Sequence, residues 1–142
     1  MSKYKDADLI LKLYDLRREK TMREARNWFF QFNPKGREDF IDVLTSDKSG
    51  LYRMVVSYWD MAASFAVRGP LSAELLLESA GELIGVWALI EPFIAELRAL
   101  LQLPEFLRNL EQIISRVEWA PARLEWIKAR IAAQRAAEPP SK

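Results

Sequence analysis

The chain has 142 residues, enough for one domain and too few for two independent cores. Half of the residues are hydrophobic, 29% are charged and the formal net charge is +1, so the chain has no global attraction to nucleic acid or anionic lipid. It contains no histidine and no cysteine, which excludes a Ser-His-Asp triad, histidine or cysteine metal ligands, thiol chemistry and disulfides. We therefore expect no enzymatic activity, no cofactor and no metal.

The sequence also lacks the pattern of a secretory signal or a membrane span. Residues 1–8 are polar and of mixed charge. The most apolar stretch, residues 71–103, is interrupted by charges, and its longest uncharged run is Leu83 to Ile90. A membrane span needs about 20 apolar residues. We expect a soluble, cytoplasmic protein.

Helical periodicity runs through the first third of the chain, and no segment alternates as a strand does. A first helix is predicted over residues 8–18, with Asp6 or Asp8 as its N-cap. Thr21 to Glu24 has the pattern of a capping box, which would open a second helix that ends near Gln31.

Asn33-Pro34 is predicted to stop that second helix and to start a short third one. The third helix would end near Leu44, and its buried face would be Phe40, Ile41 and Leu44.

The middle of the chain predicts two helices. The first, over residues 51–68, is apolar on most sides, which is typical of a helix at the centre of a bundle. Gly69-Pro70 would end it, with glycine in the left-handed conformation. Ser72 would then cap a fifth helix that extends to Leu101 and bends at Pro92.

The last segment, residues 104–137, carries the most regular pattern. Apolar residues alternate at spacings of three and four, as in a heptad seam, at Leu103, Phe106, Leu110, Ile113, Val117, Ala120, Leu124, Ile127 and Ile131. Because the register is the same on both sides of Pro121, we favour one long helix with a kink there. Two helices, with Pro121 opening the second, are the alternative. The predicted fold is an all-α bundle of about six helices, with one domain over residues 1–137 and a disordered tail over residues 138–142.

Two tryptophans, Trp119 and Trp126, are seven residues apart and point away from the heptad seam. Tryptophan is enriched at the centres of protein interfaces. Our first hypothesis is therefore an interaction or scaffold domain that forms a homodimer through its last helix, or that binds another protein there. The predicted interface residues are Trp119, Leu124, Trp126, Ile127 and Ile131.

The second hypothesis is a helical bundle that binds a small ligand. Bundles form such sites between facing helices. The large apolar residues predicted to line the cavity are Trp59, Phe65, Trp87 and Phe93.

Two charged clusters carry weaker hypotheses. Glu74, Glu78 and Glu82 lie one helical turn apart, and with an acidic group over residues 38–42 they would suit a magnesium-dependent hydrolase, although a solvated helix face explains them better. Basic residues over 17–26 precede an aromatic run over 28–32. No phosphate loop or nucleic-acid motif accompanies them, so we expect no nucleic-acid binding.

Several of these segments together resemble an uncharacterised bacterial family of small all-helical proteins, a domain of unknown function. The resemblance covers residues 9–100. It is carried by Leu-Tyr-Asp-Leu-Arg-Arg at 13–18, Met22 to Phe32, Tyr58-Trp59, Arg68-Gly69, Glu82, Trp87, Pro92-Phe93-Ile94 and Arg98. It implies a helical bacterial protein and assigns no activity, substrate or site residue.

Overall fold

The computed structural model describes residues 3–138, and every regular element in that range is helical. The prediction of an all-α fold is confirmed. The helices are shorter and more numerous than the six expected, because two predicted long helices are broken. They are α1 (Lys3–Arg17), α2 (Lys20–Gln31), α3 (Arg37–Leu44), α4 (Ser49–Val67), α5 (Ala73–Ser79), α6 (Glu82–Ile90), a 3₁₀ turn (Glu91–Phe93), α7 (Ile94–Leu101), α8 (Arg108–Ser115) and α9 (Ala120–Ala137).

Helix α4 lies at the centre of the fold. It packs against α2 and α8 and also contacts α3, α5 and α6, while α6 in turn packs against α9. A helix surrounded in this way must be apolar on most sides, as the sequence of α4 is. The largest fully buried side chains belong to several helices and form one continuous core: Phe29, Phe40, Tyr52, Trp59, Leu76, Leu77, Leu83, Ile84, Trp87, Ile90, Leu97 and Leu110. In the part of the chain that the structure describes, no helix combines the length and apolarity needed to cross a bilayer.

The first two helices begin differently from the prediction. Helix α1 already starts at Lys3, so Asp6 lies within it and its carboxylate instead accepts a hydrogen bond from the Ser72 backbone N–H at 3.2 Å. Helix α2 starts at Lys20, two residues before the start that the predicted capping box with Thr21 as N-cap requires. Its cap is Glu19, whose carboxylate accepts from the Met22 N–H at 2.9 Å. Hydrogen bonds from the backbone amides of Thr21 and Met22 hold the pKa of Glu19 below its usual value.

The connection from α2 to α3 is longer than predicted. Helix α2 ends at Gln31 as expected, but α3 begins only at Arg37, after Gly36 in extended backbone. The side chain of Asn33 does not cap α3, because it is bonded to the other end of the chain: it accepts from Arg135 Nε at 2.6 Å and donates to Glu138 at 2.9 Å. Within α3, Phe40 is fully buried as predicted, whereas Ile41 and Leu44 are half-buried.

The predicted fifth helix is broken at two places. Its cap is confirmed, since the Ser72 hydroxyl accepts from the Leu75 N–H at 3.1 Å. The helix stops at Ala80, whose φ of −139° and ψ of 56° are not helical, next to Gly81, a weak helix former. The second break is at Pro92, where the missing N–H leaves a 3₁₀ turn instead of a bend.

The last predicted helix is also two helices, so the prediction of one long kinked helix is wrong and the alternative holds. Pro121 lies in the first turn of α9, where its missing N–H removes no helical hydrogen bond. The heptad register survives the break because both helices pack on the same core. Residues Leu110 to Leu124 of the seam are buried, whereas Leu103 lies before α8 and is 53% exposed.

The predicted tail begins at Glu138, which is described and bonded to Asn33. Residues 139–142 lie outside the described range.

The end of α4 supplies a first test. No glycine in residues 3–138 has positive φ, so the left-handed stop predicted at Gly69 is wrong. Gly69 is instead required for space, because a Cβ there would lie 2.8 Å from the Phe65 carbonyl oxygen, which already accepts from the Leu71 N–H. We expect Gly69→Ala to lower the free energy of unfolding by about 1–3 kcal/mol. A Cβ at Gly50 meets nothing within 4 Å, so Gly50→Ala is the matched control and should not destabilise. Urea titration measures both, and equal losses would contradict this explanation.

Tyr52 supplies a second test. Its ring is buried between Phe29 and Phe40, and its hydroxyl has no hydrogen-bond partner among the described residues. Burial raises the pKa of this phenol far above its usual value of about 10.

The native Tyr52 phenol therefore keeps its proton at a pH where the unfolded chain loses it. This contribution to stability is complete below about pH 10 and declines as the pH rises further. We expect Tyr52→Phe to be neutral or slightly stabilising at pH 7, because it removes an unpaired buried hydroxyl. At pH 11 the variant should gain about 1.4 kcal/mol more, relative to the parent. Denaturation at both pH values measures this, and a pH-independent difference would refute it.

Candidate functional site

An apolar pocket of about 260 Å³ lies between α1, α4 and α5. Most of its wall is aliphatic or aromatic, and its polar members are Arg17 and Ser79. We call it the α1 pocket, and it is lined by Ile10, Leu11, Leu13, Tyr14, Arg17, Tyr58, Trp59, Leu76, Ser79 and Ala80. Ligand pockets are typically apolar with a few placed polar groups, and their volumes begin at about 300 Å³. The α1 pocket has this kind of lining, and its volume is slightly below that range.

Hydrogen bonds hold α1 across this pocket at three points. Near its start, Asp6 accepts from Ser72, as described above. In its middle, the Tyr58 hydroxyl donates to the Leu13 carbonyl. At its end, Arg26 Nη1 donates to the Arg17 carbonyl at 3.1 Å, which satisfies an acceptor that the helix leaves free. These contacts position α1 while leaving an apolar space beneath it.

Two aromatic residues of α4 form the floor of the pocket. Burial raises the pKa of Tyr58, and the nearby Arg17 and Arg26 offset this only in part, so the phenol stays a neutral donor to Leu13. Trp59 is 1% exposed, and its indole N–H has no acceptor among the described residues. A buried unpaired donor costs about 1–3 kcal/mol, so Trp59 retains unused hydrogen-bonding capacity.

A second, polar cavity of about 500 Å³ adjoins the first, and the two share Tyr14, Arg17, Ser79 and Ala80. We call it the arginine vestibule. Its charged lining residues are Arg17, Arg18, Arg23, Arg26 and Glu82. The apolar pocket is therefore bordered on one side by an excess of positive charge.

The arginines of the vestibule differ in their partners. Arg26 is paired, because its Nε lies 2.8 Å and 3.0 Å from the two carboxylate oxygens of Glu82. Arg17 has no carboxylate within 4.0 Å in residues 3–138 and lies instead over aromatic rings, 4.6 Å from the Tyr14 centroid and 5.6 Å from that of Trp59. Such cation–π contacts hold the guanidinium in place without neutralising its charge.

Of the four residues predicted to line a cavity, only Trp59 lines the α1 pocket. Trp87 is buried in α6, Phe65 is half-buried at the end of α4, and Phe93 packs on Phe40 with ring centroids 5.2 Å apart. Selecting large aromatic residues from the sequence therefore found side chains that pack within the protein rather than side chains that line this pocket. The missed lining residues of α1 are Ile10, Leu11, Leu13, Tyr14 and Arg17, and the sequence does not reveal that this part of α1 faces α5.

The residues predicted as an interface separate into two groups. Trp119 and Trp126 are 39% and 49% exposed. Leu124 is buried and Ile127 and Ile131 are half-buried, because they pack on the core of their own chain. The exposed part of the predicted interface is thus reduced to the two indoles. The Trp126 ring has Arg123 and Arg130 at 4.2 Å and 5.0 Å from its centroid.

The two charged clusters also separate. Glu82 lies on α6, beyond the break that ends α5, and it pairs with Arg26. Glu74, Glu78 and Glu82 therefore do not lie on one face of a single helix. Among residues 3–138 no three acidic side chains lie close enough to hold a metal ion. In the aromatic run, Phe29 is buried, Trp28 stacks on Phe32 at 5.3 Å, and Phe30 is 48% exposed.

A larger groove of about 890 Å³ lies between α4 and the segment before α8. It is more open than the α1 pocket, and its charged residues, Arg53, Asp60 and Glu105, are of mixed sign. Asp60 is already occupied within the chain, since it accepts from Leu110 N–H and from the Asn109 side chain, each at 3.1 Å. The groove therefore favours no particular ligand charge, and the α1 pocket is the better candidate.

Comparison with known proteins agrees with the resemblance noted from the sequence. A family model described as a domain of unknown function (DUF4760) matches residues 4–117, a range that contains all of the pocket and vestibule residues. Neither the curated proteins nor the solved structures yield a match. The chain belongs to the DUF4760 family of domains of unknown function.

Proposed function

We propose that this domain binds a small, predominantly apolar ligand in the α1 pocket. The observation that carries the proposal is the pocket itself: about 260 Å³ of space lined mainly by aliphatic and aromatic side chains. The pocket opens to solvent, and Leu11 and Tyr14 at its edge are 66% and 50% exposed, so water reaches its apolar wall when it is empty. Binding an apolar molecule would remove that surface from water.

Two further observations support binding rather than catalysis. Helix α1 is held at its start, middle and end by hydrogen bonds to Ser72, Tyr58 and Arg26, so the space beneath it persists without a ligand. The hydroxyl of Ser79 in the pocket wall donates to the Leu75 carbonyl at 2.8 Å, and the residues that line the α1 pocket include no carboxylate or imidazole that could activate it. A preformed apolar site without a nucleophile is suited to holding a ligand.

The test uses the neutral fluorescent dye N-phenyl-1-naphthylamine. We expect the dye to bind the full chain and Ser79→Phe to weaken binding by about tenfold or more, because the ring would occupy the pocket mouth. Ser115→Phe is the matched control, since Ser115 also ends a helix, is exposed and donates to a carbonyl of its own helix. Equal dye binding by both variants and the parent would refute the proposal.

Self-association through the tryptophan face of α9 is the second candidate function. The exposed indoles of Trp119 and Trp126 support it, because tryptophan is enriched at interface centres. We rank it second for an electrostatic reason. A two-fold contact uses the same patch of both copies, so the guanidinium groups of Arg123 and Arg130 beside Trp126 would enter the interface twice and add like charges to it.

Light scattering over a concentration series tests this candidate. If the face forms a homodimer, the mass should be twice 16.5 kDa, and replacing both Trp119 and Trp126 by alanine should return it to the monomer value. Leu11→Ala, at an exposed apolar residue of α1, should leave the mass unchanged. A parent chain that is monomeric at all concentrations would rule the homodimer out.

A further inference from the structure

We infer that the ligand of the α1 pocket is a single-chain amphiphile that ends in a carboxylate, with its apolar chain in the pocket and its carboxylate on Arg17. This inference rests on the proposed function and adds the chemical class of the ligand. It is carried by the juxtaposition of an apolar cavity with the Arg17 guanidinium, which no acidic side chain among residues 3–138 neutralises.

Arg17 has the position that a headgroup-binding residue needs. It lines both cavities, so its guanidinium is at the boundary between the apolar pocket and the vestibule. It is half-buried and lies over the rings of Tyr14 and Trp59, in surroundings less polar than bulk water. A charge in such surroundings gains more from a counter-ion than a fully solvated one does. The guanidinium fork also matches the two oxygens of a carboxylate.

The vestibule favours one negative charge over two. The excess positive charge comes from Arg17, Arg18 and Arg23, because Arg26 is already paired with Glu82. Arg18 and Arg23 are exposed, so solvent screens their contribution. Among the lining arginines, Arg17 is thus the half-buried one whose charge is left to be matched, and a monoanion matches it. The second charge of a dianion would face only the screened arginines and the repulsion of the Glu82 carboxylate, which lines the same cavity. A carboxylate is therefore a better match than a phosphate.

The dimensions of the pocket favour one chain. Its volume of about 260 Å³ is below the range of about 300–1,000 Å³ that holds drug-sized ligands. A two-chain lipid exceeds this volume, whereas one short alkyl chain fits. The amphiphile we assign is thus a free short- or medium-chain carboxylate.

Calorimetric titration of the full chain with octanoate, octanol and octyl phosphate tests the inference, since the three probes share one chain and differ in the headgroup. We expect octanoate to bind most tightly. Arg17→Gln should weaken octanoate binding by about tenfold or more, the effect of losing one charge-assisted hydrogen bond. It should weaken octanol binding far less, because octanol brings no charge to this side chain. The retained octanol binding shows that the variant is folded.

Two further variants sharpen the test. Arg17→Lys keeps the charge and loses the fork, so its octanoate affinity should lie between those of the parent and Arg17→Gln. Arg116→Gln is the matched control, because Arg116 also lies at the C-terminal end of a helix but is not among the residues that line the vestibule. It should bind octanoate as the parent does.

The outcomes separate this inference from the proposed function. Equal affinity of the parent for octanoate and octanol would overturn the carboxylate assignment and leave the apolar pocket intact. Tighter binding of octyl phosphate would overturn the preference for a monoanion. Binding of none of the three probes, together with no dye binding, would overturn both proposals.

Discussion

The hydrogen bond from the Tyr58 hydroxyl to the Leu13 carbonyl determines where α1 lies relative to the central helix. Leu13 is the one residue of α1 whose side chain is fully packed into the core within the described range, so apolar contact alone would hold this helix weakly. The hydrogen bond places the middle of α1 beside α4 and defines one wall of the pocket. It also uses a carbonyl within a helix, which can accept a second bond because each carbonyl oxygen has two lone pairs.

Arg26 extends this arrangement from α1 to α6. Its Nη1 donates to the carbonyl of Arg17, the last residue of α1, and its Nε donates to the carboxylate of Glu82, the first residue of α6. The carboxylate of Glu82 is also well placed for the helix dipole, since it lies in the first turn of α6. A single half-buried guanidinium thus joins the C-terminal end of one helix to the N-terminal end of another. The pocket and the vestibule share a wall because α1 and the α5–α6 connection are held together in this way.

The sequence was sufficient to predict the helices but not their interruptions. Periodicity identified the helical segments because each one buries an apolar stripe, and the side-chain cap at Ser72 was readable because it needs only residues three apart. The break at Ala80 was not readable, since Gly81 is tolerated in many helices. The break before Ala120 was hidden because the heptad register continues across it. Register reports which residues face a common core, and two helices that share a core can keep the same register.

The candidate site was predicted less well than the fold for a related reason. Trp59 lines the pocket, but the other walls come from α1 and α5, which lie about 65 residues apart in the chain. Their contact depends on polar bonds such as Asp6 to Ser72, which leave no periodic pattern. The basic residues near Arg17 were noticed as a charged cluster. Only the fold shows that one of them lies beside an apolar cavity and that another is neutralised by Glu82.

The family match ends at residue 117, so α9 lies beyond it. In this chain α9 packs on α6, buries Leu124 there, and is fixed by Lys128 on Glu91 and by Arg135 on Asn33. Helix α6 is apolar on nearly all sides and depends on this cover. The matched region by itself would leave that side of α6 exposed. The C-terminal helix thus supplies, within the same chain, an apolar surface that shields α6 from water.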